Sequence, residues 1–218
     1  MQTVMIGQKV PPLSVSDWVQ GQPVNFEQLL SHVVLLAVFQ VNCPGCFLSC
    51  LPQVLALKQC YADRGLIVLG LATAFEDFDK NNLENLKRLV ESGEVIGETK
   101  RVLSGRGLLQ DGKLPYRIDF PVAMDRLTKR EFGSIESEID AFISQRLSDL
   151  EKDIGLRQPH VRAQVKQYLQ TQEYHAETFE FFQLQGTPSY ILVDRAGLLR
   201  QSKFGAYPDL ENDILNLL

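Results

Sequence analysis

No apolar run in this chain approaches the ~20 residues that a helix needs to cross a bilayer, so no helical membrane span is expected. The amino terminus, Met1-Gln-Thr-Val-Met-Ile-Gly7, lacks both the basic start and the apolar centre of a secretory leader, and a cytoplasmic location is expected. An excess of positive charge is missing too. With 22 Lys and Arg against 27 Asp and Glu, the formal charge is −5, which gives no electrostatic reason to hold nucleic acid or an anionic membrane. Histidine is scarce, and His32, His160 and His175 fall in no ligand or triad spacing. There is no internal repeat and no low-complexity tract. Cysteine is sparse and uneven: Cys43, Cys46, Cys50 and Cys60 sit close together. A disulfide framework would spread its cysteines along the chain, so this grouping indicates chemistry rather than stapling.

What is present is a chain of 218 residues, 44% hydrophobic, enough for one domain with a full core or one domain carrying a large insertion. Residues 3–32 mix turn formers with short apolar pieces and read as a hairpin ahead of the core. Val33–Val41 is a continuous apolar run, the pattern of a strand buried on both faces. Phe47, Leu51, Val54, Leu55 and Tyr61 then recur at helical spacing, with a kink expected at Pro52. Gly65 ends that helix and Leu66–Ala72 reads as a second buried strand, parallel to the first. A helix is expected over Asn81–Val95, a solvated loop over Gly97–Lys113, and a short strand at Phe120–Met124. Residues 134–172 read as a helical block. Ile135, Ile139, Phe142, Ile143, Leu147, Leu150 and Ile154 form one stripe capped by Gly155, and Val161, Val165, Tyr168 and Leu169 a second. A helix near His175–Gln183, strands at Ser189–Val193 and Leu198–Phe204, and a helix at Leu210–Leu218 complete the chain.

Cys43 and Cys46 form a Cys-x-x-Cys pair where the first strand becomes a helix. There the unsatisfied backbone N–H groups and the positive end of the helix dipole favour the thiolate, the form that attacks disulfides and peroxides. Cys43, nearest the helix start, is the expected nucleophile. Cys46, one turn in, can reach back to close a disulfide and release product. Cys50 lies at i+4 from Cys46, where Cβ atoms are ~5–6 Å apart, beyond the ~3.5–4.5 Å of a disulfide. Cys50 is therefore expected in the core, and Cys60 is read as a core residue as well. Glu76, just past the second strand, should share the sheet edge with Cys43 and is a candidate proton acceptor for Cys46.

Strand–Cys43-Pro44-Gly45-Cys46–helix, followed much later by Gly186-Thr187-Pro188-Ser189 leading into a strand, resembles the thioredoxin-like superfamily. Within it, the run Gly186–Gly197 and the N-terminal segment look most like the TlpA/ResA and AhpC/TSA (redoxin) branch. Phe39-Gln40, Leu51-Pro52-Gln53 and Ala74-Phe75-Glu76-Asp77 resemble a bacterial group of redoxin-domain proteins. The resemblance implies an α/β fold with a central mixed sheet flanked by helices, an N-terminal hairpin, and one domain over 1–218 with a helical insertion at about 127–174. It also implies a cis-proline, here Pro188, opposite the cysteine pair, so that Pro44, Gly45, Thr187 and Pro188 form the substrate-binding set. A substrate chain could pair with the Thr187 backbone. The chain departs from the typical pattern at four places. Asn42 stands where Trp is usual, and Pro-Gly where thioredoxin has Gly-Pro. Pro52 comes one residue late, and Ala37 stands where thioredoxin has a buried Asp.

The expected activity is thiol–disulfide exchange with a protein or small-molecule disulfide as substrate and a thiol reductant as partner, without cofactor or metal. Two other readings stay open. A peroxiredoxin-like peroxidase would use Cys43, although the family's Thr/Ser and Pro positions are held by Gln40 and Leu36. A metal-binding or redox-sensing protein would use the cysteines as soft ligands or as a switch.

Overall fold

The computed structural model describes residues 3–130, 135–146, 158–171 and 173–218. The chain forms two compact units, one comprising residues up to Leu127 together with Ala176–Leu218, the other Thr128–His175.

The first unit is built on β2 (Val33–Phe39), preceded in the chain by β1 (Val15–Gln20). Every residue of β2 is buried, because its two faces each meet a core. Val33, Leu35, Ala37 and Phe39 point to the side that holds Cys46, Cys50, Leu51 and Val54. Val34, Leu36 and Val38 point to the side that holds Phe26, Phe179 and Phe182. The alternation is the two-residue period of a strand, and covering both faces is what lets the run be apolar throughout.

After β2 the helix begins at Pro44 and opens into a π-turn at Cys46–Cys50, where Leu51 N–H donates to the Cys46 carbonyl. Regular α-helix α1 (Leu51–Tyr61) follows. Pro52 has no N–H to give the Leu48 carbonyl, and its ring would crowd that oxygen. The widened turn lies directly ahead of Pro52 and takes up that misfit.

Gly65 (φ +95°) turns the chain into β3 (Leu66–Ala72), parallel to β2 from Val33↔Leu66 to Phe39↔Ala72. Then come α2 (Leu83–Ser92), capped by the Asn82 side chain, α3 (Gly97–Gly105), β4 (Val122–Asp125) and β5 (Leu127–Lys129). The second unit holds α4 (Ile135–Arg146) and α5 (Gln158–Thr171). The chain returns through β6 (Tyr174–Ala176), which pairs with β5. It ends with α6 (Glu177–Phe181), β7 (Ser189–Val193), β8 (Leu199–Phe204) and α7 (Leu210–Leu215). The main sheet runs β1-β4-β3-β2-β7-β8, with β7 and β8 antiparallel to their neighbours and β4 parallel to β3.

Three expectations are corrected. Residues 3–32 form no hairpin. β1 instead lies antiparallel along β4, whose outer edge needs a partner, and Gln20 Nε2 donates to the carbonyls of Ile118 and Phe120 at 2.8 and 2.6 Å. The stretch before β1 bonds elsewhere, Gly7 N–H to the Leu199 carbonyl and Val10 N–H to that of Gly197. The first half of the expected loop Gly97–Lys113 is the helix α3. Its charges face outward, Arg101 pairing with Glu98 at 2.7 Å, while Thr99 and Leu103 are buried. Cys60 is exposed rather than in the core, because it falls beside the stripe on which Leu51, Val54 and Leu57 are buried.

In the second unit, Ile139, Val165 and Leu169 are buried together, with Phe142, Ile143 and Val161 against them. Arg162 bridges Glu136 and Asp140 across the two helices. Leu147, Leu150, Ile154 and Gly155, expected to extend the first stripe and cap it, lie outside the described residues.

Candidate redox site

β2 delivers the chain to the site, and the helix starts two residues after Asn42. Pro44 suits the first helical position because its missing N–H would have had no partner there. Cys43 takes the capping place. Cys46 N–H lies 3.0 Å from the Cys43 carbonyl and 3.3 Å from Cys43 Sγ, so the sulfur accepts a first-turn amide. Cys43 and Cys46 are joined in a disulfide with Cα atoms 5.4 Å apart. Cys43 remains partly accessible and Cys46 is fully buried. An amide donor and the helix dipole at the same sulfur favour negative charge on it once the bond is reduced.

The Thr187–Pro188 peptide is cis, and the Thr187 carbonyl oxygen lies 3.6 Å from Cys43 Sγ. A Cβ added to Gly45 would meet Pro188 Cδ at 3.7 Å, so the motif's own turn lies beside the proline. Cys43, Gly45, Cys46, Thr187 and Pro188 are thus brought to one place, with Pro44 between them in the chain. The Thr187 hydroxyl turns away from the sulfur and donates to Gln40 Oε1 at 3.1 Å; Gln40 is only 2% exposed.

Glu76 lies on the loop after β3, at the sheet end that carries Cys43. Its carbonyl accepts from Asn81 Nδ2 at 2.9 Å and from Gln40 Nε2 at 3.5 Å. Its side chain is exposed, and among the described residues no hydrogen bond joins its carboxylate to either cysteine. Partial burial, with the neighbouring Asp77 charge, holds that carboxyl above the ordinary carboxylate range.

Asn42 makes three short bonds to three separate places. Its N–H donates to Asn81 Oδ1 at 2.8 Å, its Nδ2 donates to Asp77 Oδ2 at 2.7 Å, and its Oδ1 accepts from Glu98 N–H at 2.7 Å. Among the described residues no group of three or more His, Cys, Asp or Glu side chains is placed to hold a metal ion.

No family model matches the chain, and no curated protein matches its sequence. Solved structures do. A thioredoxin-like superfamily protein matches with a TM-score of 0.58 and 22% identity, over 96% of this chain and 95% of that one. A thiol-disulfide isomerase from Corynebacterium glutamicum matches with a TM-score of 0.58 and 25% identity, over 97% and 96%. The chain has a thioredoxin-like fold. A thioredoxin-like protein solved in its oxidised form is a further match, with a TM-score of 0.54 and 16% identity over 97% of this chain and 95% of that one.

On this thioredoxin-like frame an aromatic residue stands beside Ala37. Tyr190 stands opposite Ala37 in the β2–β7 register and on the same sheet face as Cys46 and Cys50. Its hydroxyl donates to Gln53 Oε1 at 3.1 Å, and Gln53 Nε2 donates onward to the Tyr207 carbonyl at 3.1 Å. Cys50 also bonds the Tyr190 hydroxyl, and burial pushes its thiol up to about 12. At neutral pH it is a neutral, satisfied core thiol, as its spacing from Cys46 implied. Reading the sequence missed Tyr190, Asn81 and Gly97 as parts of this site. Each works through a partner far along the chain, and the local signal (a polar residue ending an apolar run) was present only at Gln40 and Asn42.

Proposed function

We propose that this protein is a thiol–disulfide oxidoreductase. The observation that carries the reading is the position of Cys43 Sγ, which accepts the Cys46 amide at a helix start and faces the Thr187 carbonyl beside a cis-proline. In the reduced protein the Cys43 thiolate attacks one sulfur of a substrate disulfide. A Cys43–substrate bond forms as the substrate S–S bond breaks, and the departing thiolate takes a proton from solvent. Cys46 gives up its proton, for which Glu76 at the same sheet end is the candidate acceptor, and attacks Cys43 Sγ. The Cys43–Cys46 bond forms and the second substrate sulfur is released, taking a proton from solvent. Two electrons have moved from the protein dithiol to the substrate, and an external dithiol restores the protein by the same exchange. Run backwards, the steps oxidise a substrate dithiol. The substrate chain is held extended along the Thr187 backbone, against Pro44, Gly45 and Pro188. The isomerase named for the Corynebacterium glutamicum structure is consistent with this chemistry.

Equilibration in graded thiol/disulfide buffers, with mass-spectrometric mapping of the thiols, tests the reading. A Cys43–Cys46 bond that forms and breaks reversibly is expected. Cys43→Ser should abolish exchange and Cys46→Ser should accumulate mixed disulfides with substrate. Normal turnover in both variants would overturn the mechanism.

A further inference from the structure

We propose that Asn42 is a positioning residue for Cys43, holding the Asp77 carboxylate engaged at the residue that directly precedes the cysteine and so setting how readily the Cys43 thiolate forms. The inference rests on the oxidoreductase reading only for its consequence in turnover; its geometry stands apart from it.

The amide of Asn42 can sit in one orientation only. The Asp77 carboxylate can only accept, so Nδ2 must face it. The Glu98 backbone N–H can only donate, so Oδ1 must face that. With its own N–H bound to Asn81, the residue immediately before Cys43 is fixed at both backbone and side chain. The surroundings are shaped to it. Gly97, at φ +52°, starts α3 close against Asn42, and any Cβ there would run into Asn42 Oδ1. Asp77 has a left-handed backbone (φ 48°) and closes its own loop, its carbonyl accepting from the N–H groups of Lys80 and Asn81 at 2.8 Å each.

The charges around Asp77 come from two elements. On its own loop are Glu76, Asp79 and Lys80, whose Nζ is 4.0 Å from Asp77 Oδ1 but 3.1 Å from Asp79. From α3 come Glu98 and Arg101, paired with each other at 2.7 Å. Lys80 is thus shared, and among the described residues the Asn42 amide is the closest side-chain donor to Asp77. A carboxylate near a thiol disfavours the thiolate. A donor bonded to that carboxylate draws off part of its field and fixes where it points.

The test is the pH dependence of Cys43 alkylation by iodoacetamide in the fully reduced protein, with the site of reaction located by fragment mass spectrometry. For Asn42→Ala the midpoint should move to higher pH, and the rate at pH 7 should fall about threefold, the scale of a partly screened charge at short range. Asp77→Asn should move the midpoint down. In the Asp77→Asn background, Asn42→Ala should add no further shift. A wild-type midpoint for Asn42→Ala, or an equal shift in both backgrounds, would overturn the proposal, since a purely structural role would not depend on the Asp77 charge. If Asn42→Ala does not fold, Asp77→Asn alone decides, and an unmoved midpoint refutes it. Failure of the oxidoreductase reading shows separately, as a wild-type Cys43–Cys46 bond that does not exchange.

Discussion

Thr187 meets the site through two of its atoms. Its carbonyl faces the Cys43 sulfur, and its hydroxyl is committed to the buried amide of Gln40. Thr187→Val keeps the shape and removes the donor, leaving Gln40 Oε1 buried without its partner. The expected cost is about 1–3 kcal/mol, the penalty for a buried polar group left unpaired. Urea unfolding measures it, and Thr187→Ser should restore most of the loss. Much at this scale could be read from the sequence, because a Cys-x-x-Cys pair and a Thr-Pro before a strand are local signals. The Gln40–Thr187 bond could not, since it joins residues far apart in the chain. Nor could the role of Asn42, which as a sequence letter is only a departure from Trp.

At the scale of elements, Asp125 ties the end of β4 to β3 and to α6. It is fully buried and accepts from Thr73 Oγ1 at 2.8 Å, Thr178 N–H at 2.9 Å and Phe179 N–H at 3.1 Å. Burial pushes its carboxyl up from 3.8 to about 6, more than those bonds pull it down. Between these values the folded state holds a proton that the unfolded chain has lost. The stabilising contribution is therefore complete below pH 3.8 and is lost as pH rises through 6. The stability of the wild type relative to Asp125→Ala should be greater at pH 4 than at pH 7, by about 2–3 kcal/mol. Denaturant titration at the two pH values checks this, and a difference independent of pH would refute it. The strands β2, β3 and β7 were legible because full burial writes an unbroken apolar run. Helix α3 was not, because only Thr99 and Leu103 of it are buried and its charges mask the period. The partner of β1 was hidden for another reason: pairing with β4 is a fact of topology, not of local pattern.

Across the first unit, the sheet end away from the site is tied by a residue of its own. β2 and β3 run toward Cys43. At their starting ends the Arg195 guanidinium donates to the carbonyls of Ser31, Arg64, Leu217 and Leu218, the last at 2.6 Å. Arg195→Ala should lower the urea midpoint and leave the Cys43–Cys46 exchange midpoint where it is. A shift in that exchange midpoint would mean that the two ends are coupled. The division into two units has its counterpart in the sequence, where the apolar period changes from strand runs to long helical stripes near residue 134.

The π-turn at Cys46–Cys50 also bears on how this chain is compared with others. A turn closed from i to i+5 contains one residue more than an α-turn. The helix from Pro44 to Tyr61 therefore carries one residue more than an unbroken α-helix of the same number of turns. The extra residue lies within the turn Cys46–Cys50. A comparison with an uninterrupted helix that opens a single gap there keeps Pro52, Gln53 and the rest of α1 in phase with it. One that does not will rotate every later position of the helix by about 100°, setting exposed residues against buried ones.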